Sequence, residues 1–161
     1  MTKGGPELFE DPIARELLAS AIPARLAYTW TDGTPRVASL WFHWDGQELV
    51  MCTFRGAPKL KALKTDDRVA MTIDTNEPPN HILSIRGRAE VTEVEGVVRE
   101  YAAAATRYLG QEQGEAYIRS LPAAVPMARI AVRPDHVVVL DFETRFPSAL
   151  SALGLAPSAR E

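Results

Sequence analysis

From Ala24 onward, apolar residues recur at every second position, and that period governs most of the chain. Ala24, Leu26, Tyr28 and Trp30 alternate with Arg25, Ala27 and Thr29, the pattern of a half-buried strand. Thr31-Asp32-Gly33-Thr34 follows, and Asp-Gly between two such runs predicts a hairpin. The next run, Arg36 to Trp44, carries Val37, Leu40, Trp41 and Phe42. A second Asp-Gly, Asp45-Gly46, then hands on to the run Leu49 to Phe54. Three strands joined by two tight turns predict an antiparallel meander. Alternation returns from Arg68 to Asp74 and is cleanest from His81 to Val94, where Leu83, Ile85, Gly87, Ala89 and Val91 share one face. The small residues Gly87 and Ala89 predict close approach of another backbone. Two closing strands are expected, Met127 to Arg133 and His136 to Phe142, with Pro134-Asp135 as the turn between them.

Helical spacing interrupts this pattern. Asp11-Pro12 predicts a short helix to about Ser20, with Asp11 as its cap and Pro12 at the first helical position. Pro58 opens a second, basic helix carrying Leu60 and Leu63 on one face and Lys59, Lys61 and Lys64 around them. Val97 to Leu109 reads as a third helix, with Val97, Tyr101, Ala105 and Tyr108 on one stripe and Gly110 at its end. A fourth is expected from Gln111 to Leu121, before Pro122. Residues 1–10 read as a flexible lead-in and residues 147–161 as a weakly packed tail. Between them, residues 11–146 are expected to form one mainly β domain, an antiparallel split β-barrel of six to seven strands with peripheral helices.

Composition narrows the function. The chain has 161 residues, 18 Lys and Arg against 21 Asp and Glu, and a net charge of −3. A chain of this size buries roughly 70% of its unfolded surface, enough for a single core. No apolar run approaches the roughly 20 residues of a membrane helix, and the opening residues show no secretory pattern. A cytoplasmic protein without membrane partners is therefore expected. A pI near 5.7 counts against nucleic acid as a partner, because phosphate backbones select basic surfaces. The single cysteine, Cys52, excludes an internal disulfide and a cysteine zinc cage. His43, His81 and His136 lack metal-site spacing, and Ser39 lacks a nucleophile elbow.

The segment from Leu49 to Asp67 carries the densest chemistry. A strand ends at Thr53, Arg55 and Gly56 form a turn, and Pro58 starts a helix with Lys59 in its first turn. Free backbone N–H groups and the helix dipole attract anions at such a start, and Thr53, Arg55 and Lys59 add a hydroxyl and two cations. The spacing of a nucleotide P-loop is absent. Phosphate binding is one reading of these residues. A basic turn solvated by water is the other.

Arg36-Val37-Ala38-Ser39-Leu40-Trp41, then Cys52-Thr53, Lys59-Leu60-Lys61-Ala62-Leu63 and Asp66-Asp67-Arg68-Val69 resemble the cofactor-binding half of the pyridoxamine phosphate oxidase-like flavin proteins. Arg86-Gly87-Arg88-Ala89-Glu90-Val91 and Arg133-Pro134-Asp135-His136-Val137 are similar to later strands of the same family. The resemblance spans about residues 10–142. It implies a homodimeric split barrel that binds FMN, or alternatively the deazaflavin coenzyme F-420, at the dimer interface and transfers hydride to or from a small-molecule substrate.

Carried onto this sequence, the resemblance sets Arg36, Val37, Ala38 and Ser39 beside the cofactor ring. Thr53 and Lys59 would hold its ribityl phosphate, with Arg36 as a second charge and Arg55 reaching the same anion, and Cys52, Gly56 and Ala57 would belong to the same cofactor-binding segment. No protein residue is expected to be catalytic. Many members carry Ser-Arg where Ala57-Pro58 stands here. True pyridoxamine phosphate oxidases carry a lysine at the place of Trp41, and a phosphate-binding Tyr, Arg, Ser series where Tyr101-Ala102-Ala103-Ala104-Ala105-Thr106-Arg107 stands without the matching arginine spacing. Vitamin B6 oxidation is therefore not expected. An apolar mouth of Trp41, Phe42 and Trp44 would suit a planar or apolar organic substrate. Two alternatives remain open: a non-catalytic cofactor carrier or sensor, and a haem-binding split barrel using one histidine. A barrel binding single-stranded nucleic acid along Arg86 and Arg88 is disfavoured by charge.

Overall fold

In the computed structural model, residues 2–155 are described. In chain order the strands are β1 (Thr2–Gly4), β2 (Ala24–Thr29), β3 (Pro35–Leu40), β4 (Phe42–Trp44), β5 (Leu49–Phe54), β6 (Arg68–Asp74), β7 (Ile82–Glu95) and β8 (Pro126–Leu140). The helices are α1 (Pro12–Ala19), α2 (Pro58–Thr65), α3 (Arg99–Leu109), α4 (Gln111–Ser120) and α5 (Ser148–Ala152), with a 3-10 turn at Pro6–Glu10. All strand pairs are antiparallel, in the order β3-β2-β6-β7-β8-β5-β4, with β1 added beside β8.

This order explains how the sheet becomes a barrel. β3 and β4 are its two ends, yet only Trp41 separates them in the chain. One run of sequence therefore belongs to both edges, and the sheet must curl to let it. The expected meander is corrected accordingly. Arg36 to Trp44 is not one strand in a three-strand ladder, because the chain bends at Trp41 and leaves β2 to pair with β5. Alternation runs smoothly through the bend, so the local pattern hides it.

The barrel interior collects alternate residues from every strand. Leu26, Phe42, Met51, Ile73, Ile85, Ile130 and Val137 are each fully buried, and a large aliphatic side chain so placed contributes about 1.5–3 kcal/mol over an exposed one. On the other side of β5, Val50 and Cys52 join Val98, Val125 and Met127 in a smaller core beneath α3.

The two closing strands are one. β8 runs 15 residues without a turn because the 14-residue β7 offers it a continuous partner. Pro134-Asp135 forms a bulge instead: Arg86 pairs with His136 and Gly87 with Pro134, leaving Asp135 as the extra residue. Proline lacks the ladder donor and is tolerated at a bulge. Gly87 makes the bulge possible, since a Cβ there would lie 2.2 Å from the Arg133 carbonyl oxygen.

The lead-in also departs from expectation. Thr2–Gly4 pairs with Val137–Val139, and Phe9 is buried in the core against Trp44, with ring centroids 4.3 Å apart. At the other end Phe146 is buried, whereas α5 buries no residue. The last residues of the expected tail, 156–161, lie outside the described part. No helix among the described residues is long and apolar enough to cross a membrane.

Candidate functional site

β5 delivers the chain to a turn at Arg55-Gly56, where Gly56 has φ 87°, a conformation only glycine adopts cheaply. Ala57 then takes the N-cap position of α2 in extended conformation, with no side-chain cap, and Pro58 follows. The Leu60 amide donates to the Ala57 carbonyl, while the Lys59 amide has no partner among the described residues. No acidic residue occupies the first turn. The positive end of this helix is therefore open.

A cavity of about 530 Å³ lies against it, lined by Trp30, Gly56, Ala57, Pro58, Leu60, Lys61, Lys64, Thr65 and Glu93. Trp30 carries the Arg36 guanidinium 5.8 Å from its ring centroid, so Arg36 neighbours a groove residue without lining the groove itself. Thr53 is half-buried in the β5–β8 ladder opposite Ala128, on the side of β5 shared with Leu49 and Met51.

The cations here divide into two sets. Arg55 reaches Glu93 (3.2 Å) and Glu95 (2.7 Å), and Lys64 reaches Glu93 (2.9 Å). The Lys64 ammonium holds the Glu93 carboxyl below its usual range. Arg55 was expected to face the anion, but acids from β7 engage it instead. Lys59 and Lys61 form no ion pair among the described residues.

β3 provides a second open feature. It terminates the strand order and bonds only to β2, so its outer backbone edge is unspent. Arg36 and Ala38 share a face with their partners Tyr28 and Leu26. Val37 and Ser39 face the other way, and Val37 is 68% exposed. Such an exposed edge beside an apolar side chain is a ready template for a ligand or another chain.

Other expected residues fall elsewhere. The Cys52 side chain is buried beneath α3 with Val98 and Met127, away from the groove. Burial, with the nearby Glu100, pushes its thiol up to about 12, so it is no thiolate. Trp41 stacks on Tyr108 at 5.2 Å and 9°, with Tyr101 and Tyr117 completing a cluster. Phe42 is fully buried in the barrel and Trp44 packs on Phe9. The three residues therefore form no common mouth. The tyrosines at 101 and 108, one helical stripe of α3, were legible as a stripe, but their partner on the bend of the sheet was not. Glu93 and Trp30 also escaped notice as groove residues, because tertiary folding alone carries β7 and β2 to α2. Among the described residues no three His, Cys, Asp or Glu are grouped to hold a metal.

A profile of the pyridoxamine 5'-phosphate oxidase family matches residues 11–141. No curated protein matches the sequence. Among solved structures, an F-420 reductase is 26% identical with a TM-score of 0.60, over 77% of this chain and 94% of that one. A conserved hypothetical protein of Mycobacterium tuberculosis is 18% identical with a TM-score of 0.65, over 82% and 84%. A haem storage protein of Vibrio cholerae is 16% identical with a TM-score of 0.57, over 80% and 94%. Matched by the profile over most of its length, and folded like these split barrels, the chain belongs to the pyridoxamine 5'-phosphate oxidase family.

Proposed function

We propose that the protein is an oxidoreductase that holds FMN, or alternatively coenzyme F-420, by its phosphate at the start of α2. The observation that carries this reading is the uncapped α2 N-terminus, with a free Lys59 amide, beside a groove lined by Gly56, Ala57, Pro58 and the unpaired Lys61; Lys59 itself lies next to that lining rather than in it. A phosphate there would meet the Lys59 amide, the Lys59 and Lys61 ammonium groups and, across Trp30, the Arg36 guanidinium. The unspent edge of β3, from Arg36 to Ser39, would present backbone donors and acceptors to the polar rim of the ring. Ala57-Pro58 supplies no side-chain donor, so backbone and lysine carry the anion. The F-420 reductase relative supports the deazaflavin alternative.

When bound, such a cofactor supplies the hydride chemistry. The chain's own residues bind it, orient it and exclude water. The alanine face of α3 and the commitment of Tyr101 and Tyr108 to Trp41 leave no Tyr, Arg, Ser series on that helix, and its Arg107 is tied to the Ser20 and Phe42 carbonyls away from the α2 groove. The substrate is then a small organic molecule rather than a B6 phosphate. The exposed edge of β3, with Val37 outward, suits a second copy of the chain completing the groove, as a homodimer.

Titration of cofactor-stripped protein with FMN and with F-420, followed by absorbance and fluorescence, tests the proposal. Micromolar or tighter binding of one, and its reduction or reoxidation by a donor or acceptor, is expected. Binding without turnover would make the protein a carrier. A Soret band with haem and no binding of either flavin would overturn the reading. His43, His81 and His136 all lie outside the α2 groove, so haem would need a different site.

A further inference from the structure

A second cleft, of about 330 Å³, lies between the 3-10 turn, α1, β4 and α3. It shares no residue with the α2 groove. Its polar wall is Arg107 and His43, and its apolar wall is Trp44, Phe9 and Leu18. Arg107 is held rigidly. Its Nε donates to the Ser20 carbonyl at 2.9 Å and its Nη2 to the Phe42 carbonyl, while its guanidinium lies 4.6 Å from the Phe42 ring centroid and 5.0 Å from that of Tyr108. Nη1 is left with no carbonyl or carboxylate partner among the described residues, and no carboxylate among them pairs with Arg107. A half-buried guanidinium fixed in place but unneutralised is preorganised for an anion. Beside it His43 is half-buried; burial and the Arg107 charge lower its pKa against the upward pull of Glu100 and Asp45, and its imidazole offers a hydrogen bond next to the guanidinium. At the mouth Glu10 is exposed and tied to Arg15, which offsets its repulsion.

We propose that this cleft binds a small aromatic carboxylate, its carboxylate on the Arg107 guanidinium and His43 and its ring against Trp44 and Leu18. The volume accommodates a single ring, at the small end of ligand sites. The apolar wall demands a flat hydrophobic body, and the unpaired guanidinium demands the charge.

Benzoate and benzyl alcohol are the probes, followed through the imidazole proton resonances of the three histidines in the full chain. Benzoate should shift the His43 signal with a Kd of about millimolar or tighter and leave His81 and His136 unmoved. Benzyl alcohol should bind about tenfold more weakly or worse, for want of the charge-assisted hydrogen bond. Ala19→Trp, which fills the exposed side of the cleft, should abolish the shift. Lys59→Ala should leave it intact. The proposal is overturned if benzoate leaves His43 unmoved, if Ala19→Trp binds as the parent does, if the alcohol binds equally well, or if Lys59→Ala loses the effect.

Discussion

Two helices of this protein begin alike and end up in opposite surroundings. α1 and α2 are each eight residues long and open on proline. In α1 the N-cap is Asp11, whose carboxylate accepts from the Ile13 amide at 2.9 Å and meets Arg145 Nη1 at 2.5 Å. Arg145 in turn holds Asp141, which also accepts the amides of Glu143 and Thr144. The positive end of α1 is thus consumed by structure, fastening the segment after β8 to the start of the domain. In α2 the N-cap is Ala57, nothing internal meets the open amides, and the nearest side chains are lysines. On the proposed reading, whether a helix start becomes a joint or a binding site depends here on one residue, the presence or absence of a capping carboxylate.

The largest effect that sharpens this contrast is on ligand affinity. Lys59→Ala should weaken binding of the flavin cofactor by one to two orders of magnitude, the loss of about 1.5–3 kcal/mol from a charged hydrogen bond. Fluorescence titration measures it, with no comparable change in the melting temperature.

At α1 the effect should fall on stability instead. Asp11→Ala removes a cap and a partly buried ion pair, and should cost about 2 kcal/mol in urea unfolding while leaving cofactor affinity unchanged. The same site gives an acid dependence. Burial pushes the Asp11 carboxyl up, but Arg145 and the Ile13 amide outweigh it and the net shift is downward. Asp141 is likewise penalised by burial and then carried below its usual range by the Thr144 hydroxyl and the surrounding amides. A carboxylate depressed in the folded state contributes stability above its unfolded pKa and loses it as pH falls through the folded one. The parent should therefore lose stability as pH drops below about 4, and Asp11→Asn should flatten that slope.

The smallest effect concerns Arg55. It sits next to the groove but is held by Glu93 and Glu95, so Arg55→Ala should change cofactor affinity by about twofold or less, the scale of an exposed pair. A loss as large as that of Lys59→Ala would show that Arg55 leaves its acids to meet the anion.

Much of the fold was legible because its signals are local. β2, β6 and β7 announce themselves by period two, and Asp11-Pro12 announces a capped helix. What escaped was decided at long range. Pro134-Asp135 carries the chemistry of a turn, and only Gly87 on the neighbouring strand converts it into a bulge. Trp41 looks like one more strand residue, and only the two distant partners of its flanking strands make it the corner of the barrel. Thr2–Gly4 contributes backbone pairing to β8, which no side-chain pattern reports. In the groove, Gly56, Ala57 and Lys59 were visible as a turn followed by a helix start, since that chemistry is contiguous. Trp30 and Glu93 were not, because they reach α2 from β2 and β7. The same distance hid the acids that engage Arg55.

The measurement that tests the account most directly is titration of Ala57→Asp beside the parent with FMN and with F-420, together with its unfolding curve. Ala57 already has the extended conformation of an N-cap, so aspartate there transplants the α1 arrangement onto α2. Opposite signs are expected: helix capping stabilises the fold by about 0.5–1 kcal/mol, and FMN or F-420 binds about tenfold more weakly or worse because a carboxylate occupies the proposed phosphate position. A variant that binds its cofactor as tightly as the parent would contradict the assignment of the α2 start as the phosphate site.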